Sequence, residues 1–368
     1  MIRTVRLLIV LFCCIVFFWL GTSTHWRFDL KVNFAGSLRK EHVLIYAATG
    51  FFEETFSYLN LEKCSAEVRS YCNISNNVKD LENADAVFFH SRDFDENKMM
   101  NFTESYRRNP NIPYVMMAME SPFYAAIYEY RDFFNWTMTY RLNADVHLPY
   151  GGMVKRSQKV KIDYDAIWNA KSKTALWLVS NNWSTGNRRK ELVEKMAREG
   201  LTVDLRGAVY RIPTGCSRQQ FGKDCEIELH RPYKFTIAFE NNNCKEYVTE
   251  KFWLKMGKHH MVPIVMTRKI YQDLGIPNSM FIAVDDFDSL KELVTHVENV
   301  AANKTAYLEY HKWREDFQIV DRHEGDFGFC QLCRKVAEFR GTPKKSYADL
   351  RNWHNVTDCD NSFAHSRL

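Results

Sequence analysis

The stretch Tyr233-Lys-Phe-Thr-Ile-Ala-Phe-Glu-Asn-Asn-Asn-Cys-Lys-Glu-Tyr-Val-Thr-Glu-Lys-Phe-Trp253 carries the clearest structural signal in the chain. Residues 235–239 form a short, continuous apolar run, which is typical of a buried strand. A polar loop follows, and Thr249 is well placed as the N-cap of a helix beginning near Glu250. The apolar run 262–265 then supplies the next strand. The segment therefore predicts a β-loop-α-β unit of a parallel sheet.

The same alternation continues in both directions along the chain. Further apolar runs of strand length lie at residues 42–48, 86–90, 114–119, 175–179 and 281–284, and residues 202–205 are also predicted to form a strand. Helical spacing occurs over residues 188–199 and again near residues 290–300. A chain of 368 residues has room for about two domains. The sequence predicts an α/β fold of two doubly wound domains at residues 42–165 and 166–345, with a C-terminal tail at 346–368.

Composition excludes several classes of protein. The hydrophobic fraction of 46% and the charged fraction of 26% are those of a globular protein, so wholesale disorder is excluded. The net charge of +5 is small and spread over the chain, whereas nucleic-acid-binding proteins concentrate basic residues on one face. No nucleic-acid partner is therefore expected.

The N-terminal residues have the pattern of a membrane anchor. Arg3 and Arg6 precede an apolar run, and no further charge occurs until Arg27. The pattern predicts a cytoplasmic tail at residues 1–6, a transmembrane signal anchor at 7–26 and a stem at 27–41, with the remainder in a secretory lumen. A cleaved signal peptide is the alternative interpretation, but residues 21–25 lack a clear small-x-small cleavage site.

Asn-x-Ser/Thr triplets and cysteines agree with a lumenal location. The glycosylation candidates are Asn73, Asn101, Asn135, Asn303 and Asn355, while a further triplet at Asn182 falls in a predicted site loop and is not expected to be used. Eight cysteines lie outside the apolar run, an even number that suits disulfides. The named disulfide candidates are Cys64, Cys72, Cys216, Cys225, Cys330 and Cys333, and their spacing does not determine the pairing. A zinc or redox role for Cys330-x-x-Cys333 is less well supported, because no second such pair accompanies it.

Two predicted helix starts carry basic residues suited to an anion. Lys251 lies in the first turn after Thr249, where free backbone N–H groups and the helix dipole favour negative charge. Arg188 and Arg189 open the helix at 188–199, an unfavourable end for cations unless an anion is bound there. Together these ends are candidates for gripping a pyrophosphate. A well-capped helix with ordinary surface charges is the simpler interpretation of either end alone.

A carboxylate follows the apolar run 114–119. Glu120 is delivered at the carboxyl end of that strand and is followed by the turn residues Ser121 and Pro122. A partly desolvated carboxylate at a sheet edge is a candidate general base. A glutamate that merely shapes the turn fits the same residues equally well.

Taken together, these segments resemble the inverting, GDP-fucose-dependent α1,3-fucosyltransferases of glycosyltransferase family 10. The resemblance spans about residues 40–340, and its motifs are Phe239-Glu240-Asn241, Tyr247-Val248-Thr249-Glu250-Lys251, Val262-Pro263-Ile264, Glu120-Ser121-Pro122 and the final Cys-x-x-Cys. It implies a GT-B arrangement, in which the N-terminal half holds the acceptor and the C-terminal half holds GDP-fucose. Glu120 takes the place of the general base, and Arg188 and Lys251 take those of the diphosphate contacts. Asn241, Tyr247 and Glu250 fall among the remaining donor contacts.

The resemblance further implies transfer of fucose to GlcNAc in glycoprotein or glycolipid glycans by a type II Golgi membrane protein. No obligatory metal is expected, although Mn²⁺ can stimulate by meeting the product GDP. Asp93-Phe94-Asp95 and Asp286-Phe287-Asp288 imitate a metal-binding Asp-x-Asp and are interpreted as structural. Departures such as Leu142-Asn143 after Tyr140-Arg141, and Cys244 in the loop before Tyr247, leave the acceptor open. A silent glycan-binding relative, or a transferase with another nucleotide-sugar donor, is the alternative.

Overall fold

The computed structural model describes residues 42–52, 54–128, 130–180, 185–211, 216, 224–321 and 327–368. Within these ranges no helix combines the length and the apolarity that crossing a membrane requires. The predicted tail, anchor and stem at residues 1–41 and the triplet at Asn182 lie outside the described residues, so these assignments stay predictions.

The first half of the chain builds a six-stranded parallel sheet. Its strands are β1 (Val43–Ala47), β2 (Cys72–Ser75), β3 (Ala86–His90), β4 (Tyr114–Ala118), β5 (Trp136–Thr139) and β6 (Val146–His147). They pair in the order β2-β1-β3-β4-β5-β6. The predicted strands β1, β3 and β4 are confirmed. The sequence did not predict β2 and β5, because polar residues interrupt both of these short strands.

The second half builds a five-stranded parallel sheet. The remaining strands are β7 (Gly151–Lys155), β8 (Lys173–Leu178), β9 (Val203–Arg206), β10 (Tyr233–Ile237), β11 (Val262–Val265), β12 (Ile282–Ala283) and β13 (Phe317–Asp321). Five of them pair in the order β12-β11-β10-β8-β9, as the sequence predicts for a parallel sheet, while β7 and β13 form a separate antiparallel ribbon.

Helices connect the strands. They are α1 (Ala66–Tyr71), α2 (Glu96–Ser105), α3 (Tyr164–Asn169), α4 (Arg189–Arg198), α5 (Asp224–His230), α6 (Glu250–His259), α7 (Arg268–Gln272), α8 (Leu290–Ala302), α9 (Lys304–Glu309), α10 (Gly328–Glu338) and α11 (Leu350–Trp353). Thr249 caps α6 as predicted, since its hydroxyl accepts a hydrogen bond from the backbone N–H of Lys251. Helix α4 buries Leu192, Val193 and Met196 on one face, again as predicted.

Apolar side chains cover both faces of each sheet. In β3 the successive residues Phe88 and Phe89 point to opposite faces, and both are fully buried in different clusters. In β11 Ile264 and Val265 are divided between two clusters in the same way. The near-continuous apolarity of these runs therefore has the predicted cause, which is burial on both sides.

The strand orders determine where a ligand can bind. In each sheet the connections leave in opposite directions from a pair of adjacent strands, β1 and β3 in one and β8 and β10 in the other. Ligands of open α/β sheets bind beyond the carboxyl ends of the strands at such switch points. The loops that follow these four strands are therefore the places to look for a site.

Two disulfides attach α10 to the first sheet, although α10 lies far along the chain. Cys64 pairs with Cys330 and Cys72 pairs with Cys333, and the helix packs in the same apolar cluster as β1. The two cysteines of Cys330-x-x-Cys333 thus bond to separate partners and form no pair of their own. Residues 328–338 fall inside the predicted segment 166–345, and the boundaries of that segment stay a prediction.

Two further disulfides complete the described set. Cys216 pairs with Cys225, which accounts for all six named candidates. Cys244 pairs with Cys359, neither of which was among those candidates. Because 115 residues separate these last two cysteines, only the tertiary structure brings them together.

The glycosylation candidates differ in accessibility. Asn73, Asn101 and Asn303 are exposed, and Asn355 is half-buried. Asn135 is buried, and its side-chain nitrogen, the atom to which a glycan is attached, donates to the carbonyl oxygen of Lys345. The fold therefore leaves no room for a glycan at Asn135, which lies in the interior just before β5, and the use of the other candidates stays a prediction.

Candidate active site

A cavity of about 1020 Å³ opens at the carboxyl ends of both parallel sheets. Clefts that hold small ligands typically measure roughly 300–1,000 Å³. Residues from the loops after β1, β3, β4, β8 and β10 line it together with the starts of α4 and α6, including Phe52, Arg92, Glu120, Tyr124, Ser180, Arg189, Asn241, Tyr247, Glu250 and Lys251. The cavity thus lies at the switch points of both sheets, as their strand orders require.

Glu120 lies just beyond β4 and faces this cavity. Its carboxylate accepts a hydrogen bond of 3.3 Å from the hydroxyl of Tyr247. Burial raises the pKa of Tyr247 well above its ordinary value, with the charge of Glu120 acting in the same direction, so the phenol stays a neutral donor. The strand end is also held by Tyr150, whose hydroxyl donates to the carbonyl oxygen of Met119 at 2.6 Å.

Lys251 presents an ammonium group at the start of α6. Its Nζ lies 3.0 Å from a carboxylate oxygen of Glu240 and 2.9 Å from the hydroxyl of Thr249. Burial by itself lowers the pKa of Lys251, but the carboxylates of Glu240 and Glu250 outweigh it and raise the pKa above its ordinary value. The cavity therefore contains a fixed positive charge next to a helix N-terminus, which is an arrangement that binds anions.

The second predicted cation is displaced by one residue. Arg188 has a left-handed backbone (φ 52°) and points to Glu191, with 43% of its side chain exposed, and it is not among the cavity-lining residues. Arg189 is buried, lines the cavity and donates to the carbonyl oxygen of Phe239 at 3.1 Å. The structure therefore places Arg189, and not Arg188, beside Lys251.

The sequence contained a signal that distinguishes the two arginines. Within α4 the buried residues Arg189, Leu192, Val193 and Met196 are spaced i, i+3, i+4 and i+7, which is one face of a helix. Arg188 precedes the first helical turn, so it does not share that face. Knowing the first helical residue is enough to identify the inward-facing arginine.

The other predicted donor contacts reach the same cavity. Asn241 and Glu250 line it, and the side-chain oxygen of Asn241 is buried with no hydrogen-bond partner among the described residues. A buried amide oxygen of this kind is a natural acceptor for a ligand, since leaving it unpaired typically costs about 1–3 kcal/mol. Five of the six predicted site residues, all except Arg188, thus line one cavity.

Sequence reasoning identified Glu120 in the first-sheet loops and missed the other residues of these loops that line the cavity. Phe52, Arg92 and Tyr124 line it, and Arg92 donates to the carbonyl oxygen of Tyr124 at 2.8 Å. These residues lie in loops without a recognisable motif. The strand order is the signal that could have found Phe52 and Arg92, because it puts the loops after β1 and β3 at the switch point.

The acidic pairs that imitate a metal site have structural partners. Asp93 accepts hydrogen bonds from His90 at 2.6 Å and from the backbone N–H of Phe52 at 2.9 Å. Asp286 forms an ion pair with Arg268. Within the described ranges Glu226, His230 and His259 are close enough together for a metal ion to contact all three. The ammonium of Lys255 already neutralises Glu226, so this group is accounted for as a buried ion pair.

Comparisons with known proteins find matches that cover most of the chain. Residues 168–353 match the family model "Glycosyltransferase family 10 (fucosyltransferase) C-term" and residues 39–151 match "Fucosyltransferase, N-terminal". The chain is 50% identical over 325 residues to alpha-(1,3)-fucosyltransferase fut-5 of Caenorhabditis elegans, covering 88% of this chain and 85% of the relative. It is 39% identical to fut-6 of the same organism, covering 89% and 84%. A crystal structure of an alpha1,3-fucosyltransferase with GDP-fucose aligns with 74% of this chain and 82% of its own, at 17% identity and a TM-score of 0.48.

Proposed function

The chain belongs to glycosyltransferase family 10, the fucosyltransferases, and we propose that it transfers L-fucose from GDP-β-L-fucose in α1,3 linkage to GlcNAc of glycoprotein or glycolipid glycans. Relatives at 50% and 39% identity bear the name alpha-(1,3)-fucosyltransferase. The observation that carries the proposal is one cavity lined by both Glu120 and Lys251. A carboxylate and a fixed cation are the two groups that an inverting sugar transfer needs.

We assign the reaction to a single displacement. The acceptor hydroxyl oxygen bonds to the anomeric carbon of fucose while the bond from that carbon to the β-phosphate oxygen breaks. Glu120 takes the hydroxyl proton, and the electron pair of the broken bond stays on the departing GDP. One displacement converts the β linkage of the donor into the α linkage of the product. The hydrogen bond from Tyr247 supports the role of Glu120, because it orients the carboxylate.

The negative charge that develops on GDP is met by Lys251, Arg189 and the N-terminus of α6. Preorganised donors of this kind typically contribute about 3 kcal/mol each to lowering a barrier. Arg189 takes the role predicted for Arg188, since it is Arg189 that lines the cavity. Asn241 and Glu250 complete the donor contacts in this proposal. No obligatory metal is required, and unchanged transfer in excess EDTA is the expected check.

The remaining assignments follow from the same proposal. The two parallel sheets correspond to the two halves of a GT-B arrangement, with the acceptor held by the loops of the first sheet. Phe52 and Tyr124 supply aromatic surface there, against which a sugar ring can pack. The full-length protein is proposed to be a type II Golgi membrane protein anchored by residues 7–26. Fluorescence microscopy of the tagged full chain beside a Golgi marker tests that location.

The decisive experiment incubates the full chain with GDP-fucose and an array of GlcNAc-terminated, lactosamine and N-glycan-core acceptors. The expected product carries α1,3-linked fucose on GlcNAc, identified by linkage analysis. A parallel panel of other nucleotide sugars tests the donor. Glycan binding without release of GDP from GDP-fucose would instead identify a silent relative, and turnover with another donor alone would refute the assignment of GDP-fucose.

A further inference from the structure

The segment 354–361, called the clamp below, lies against the candidate active site. It follows directly after the last residue matched by the family model, which ends at residue 353. Its sequence contains the glycosylation candidate Asn355, and nothing in it predicted a role in the site. In the structure it contacts the loop that carries Glu120 and also residues 241–247, called the donor loop below.

One end of the clamp contacts Glu120 through His354. This residue is 4% exposed, and its Nε2 lies 3.1 Å from the backbone carbonyl oxygen of Glu120. A carbonyl oxygen only accepts, so Nε2 carries the proton and donates. Burial lowers the pKa of His354 to about 4, so the ring is neutral in a secretory lumen. Its other nitrogen, Nδ1, is buried with no hydrogen-bond partner among the described residues.

The other end of the clamp is bonded to the donor loop. Cys359 forms the disulfide with Cys244, and backbone hydrogen bonds of 2.8 Å flank it on both sides, from Lys245 to Asp358 and from Asp360 to Asn243. The donor loop connects Asn241 to Tyr247, two residues that line the cavity. A covalent bond flanked by two backbone bonds fixes the middle of that loop.

Side chains join the two attachments. Arg141, which is 5% exposed, donates to Glu246 of the donor loop at 3.2 Å and to Asp358 of the clamp at 2.7 Å. Asn361 donates to Asn242 at 2.7 Å, and Asn242 in turn donates to Ser121, the residue after Glu120, at 2.9 Å. The clamp is therefore linked through consecutive contacts to both walls of the cavity.

We propose that the clamp positions groups of the active site. In this proposal His354 is a positioning residue that fixes the backbone of Glu120 relative to the donor loop. The proposal rests on the fucosyl-transfer function proposed above. Tyr150 holds the carbonyl of Met119, and His354 holds the next carbonyl along the chain, that of the candidate base Glu120. A displacement of about 1 Å at a reacting group can lower a rate about a hundredfold, so a fixed carbonyl matters for turnover.

The first test replaces His354 in the full chain. His354→Leu removes the N–H donor, and we expect kcat to fall about tenfold or more while the KM for GDP-fucose stays within about twofold. His354→Gln restores a donor at a similar position and should recover much of the lost kcat. His365→Leu, an exposed histidine in the same tail, is the matched control and should behave as wild type.

The second test removes the attachment to the donor loop. The double variant Cys244→Ser/Cys359→Ser should have a lower kcat and a higher KM for GDP-fucose than the wild type, because the donor loop is no longer fixed. Cys216→Ser/Cys225→Ser, which also lacks one disulfide, is the control and should keep the kcat of the wild type at a temperature well below both melting points. This pair also carries the test if His354→Leu does not fold.

The outcomes separate this inference from the proposed function. If the wild type transfers no fucose to any acceptor, the proposed function fails. If the wild type is active, and if both His354→Leu and the Cys244/Cys359 variant have the same kcat as the wild type, the clamp does not contribute to catalysis. The proposal would also be overturned if the variants lost kcat in proportion to their fall in melting temperature and if kcat of His354→Gln were no higher than that of His354→Leu. The residue would then be only structural.

Discussion

At the scale of single residues, neighbouring side chains of the same type have unequal positions. Arg188 and Arg189 are chemically identical, yet the first is half-buried outside the cavity lining and the second is 5% exposed at the cavity. The difference arises because the helix begins between them, so only Arg189 shares the inward face of α4. Which arginine lines the cavity is therefore decided by a helix boundary.

Exchanging the arginines one at a time tests this assignment. Arg189→Gln should lower kcat/KM about a hundredfold and weaken GDP binding, because a preorganised cation is lost. Arg188→Gln serves as the matched control and should change either quantity by less than about threefold, since the ion pair of Arg188 with Glu191 is largely exposed. Steady-state kinetics and calorimetric titration with GDP provide the measurements. Equal losses in both variants would contradict the assignment.

Replacing the carboxylate tests the general base. Glu120→Gln keeps the size of the side chain and an oxygen that can accept from Tyr247. It removes the capacity to take a proton, so transfer should fall at least about a hundredfold. The dissociation constant of GDP should stay within about twofold of the wild-type value, because the diphosphate contacts lie elsewhere in the cavity. Transfer at the wild-type rate would eliminate Glu120 as the base.

At the scale of elements, disulfides hold together parts that are distant in the chain. The two disulfides of helix α10 join cysteines that are 266 and 261 residues apart in the chain. A cross-link that closes so long a loop restricts the unfolded chain strongly. Both disulfides lie in the core of the first sheet and not in the cavity lining.

Removing one of these cross-links should affect stability more than catalysis. Cys72→Ser/Cys333→Ser is expected to lower the free energy of unfolding by about 2–5 kcal/mol, while kcat at low temperature stays within about threefold of wild type. Thermal unfolding followed by circular dichroism gives the first quantity. A large fall in kcat with an unchanged melting temperature would show that α10 acts on the site.

At the scale of the whole molecule, buried neutral histidines make stability depend on pH. His230, His259 and His354 are buried, and burial lowers their pKa values to about 4, about 3 and about 4. In the unfolded chain the same rings titrate near pH 6.5. Below that pH the unfolded state takes up protons that the folded state excludes, so these groups oppose folding in acid and have no effect above it.

The resulting prediction is a loss of stability as the pH falls from about 6.5 to about 4. These three histidines alone give a slope of up to about 4 kcal/mol per pH unit between these values. Burial also lowers the pKa values of His260 and His311, which add to the slope. Denaturant titrations at several pH values measure it, and His354→Gln should lower the slope by up to about 1.4 kcal/mol per pH unit, the contribution of one histidine. A free energy of unfolding that stays constant between pH 7 and pH 5 would rule out the neutral buried state.

Local patterns were sufficient for the elements that build the second sheet and for most of the site. We could predict the strand at 235–239 because burial on both faces requires consecutive apolar residues. The helix after Thr249 was predictable because an N-cap residue directly precedes the helix that it caps. Glu120 and Lys251 became candidates in the same way, from the end of a strand and the start of a helix, but the family resemblance was needed to give them roles. Short strands with polar residues, such as β5, were not predictable, because their burial depends on what packs over them.

The amino-acid sequence by itself determined that this is an α/β protein with its candidate site residues at the ends of strands and the starts of helices. Only the tertiary structure decided that Cys244 meets Cys359, that Asn135 is interior and that His354 donates to the backbone carbonyl of Glu120. These contacts join residues up to 234 positions apart. No local pattern records such pairs, because their free energy arises from the packing of the completed fold and not from the neighbours of each residue.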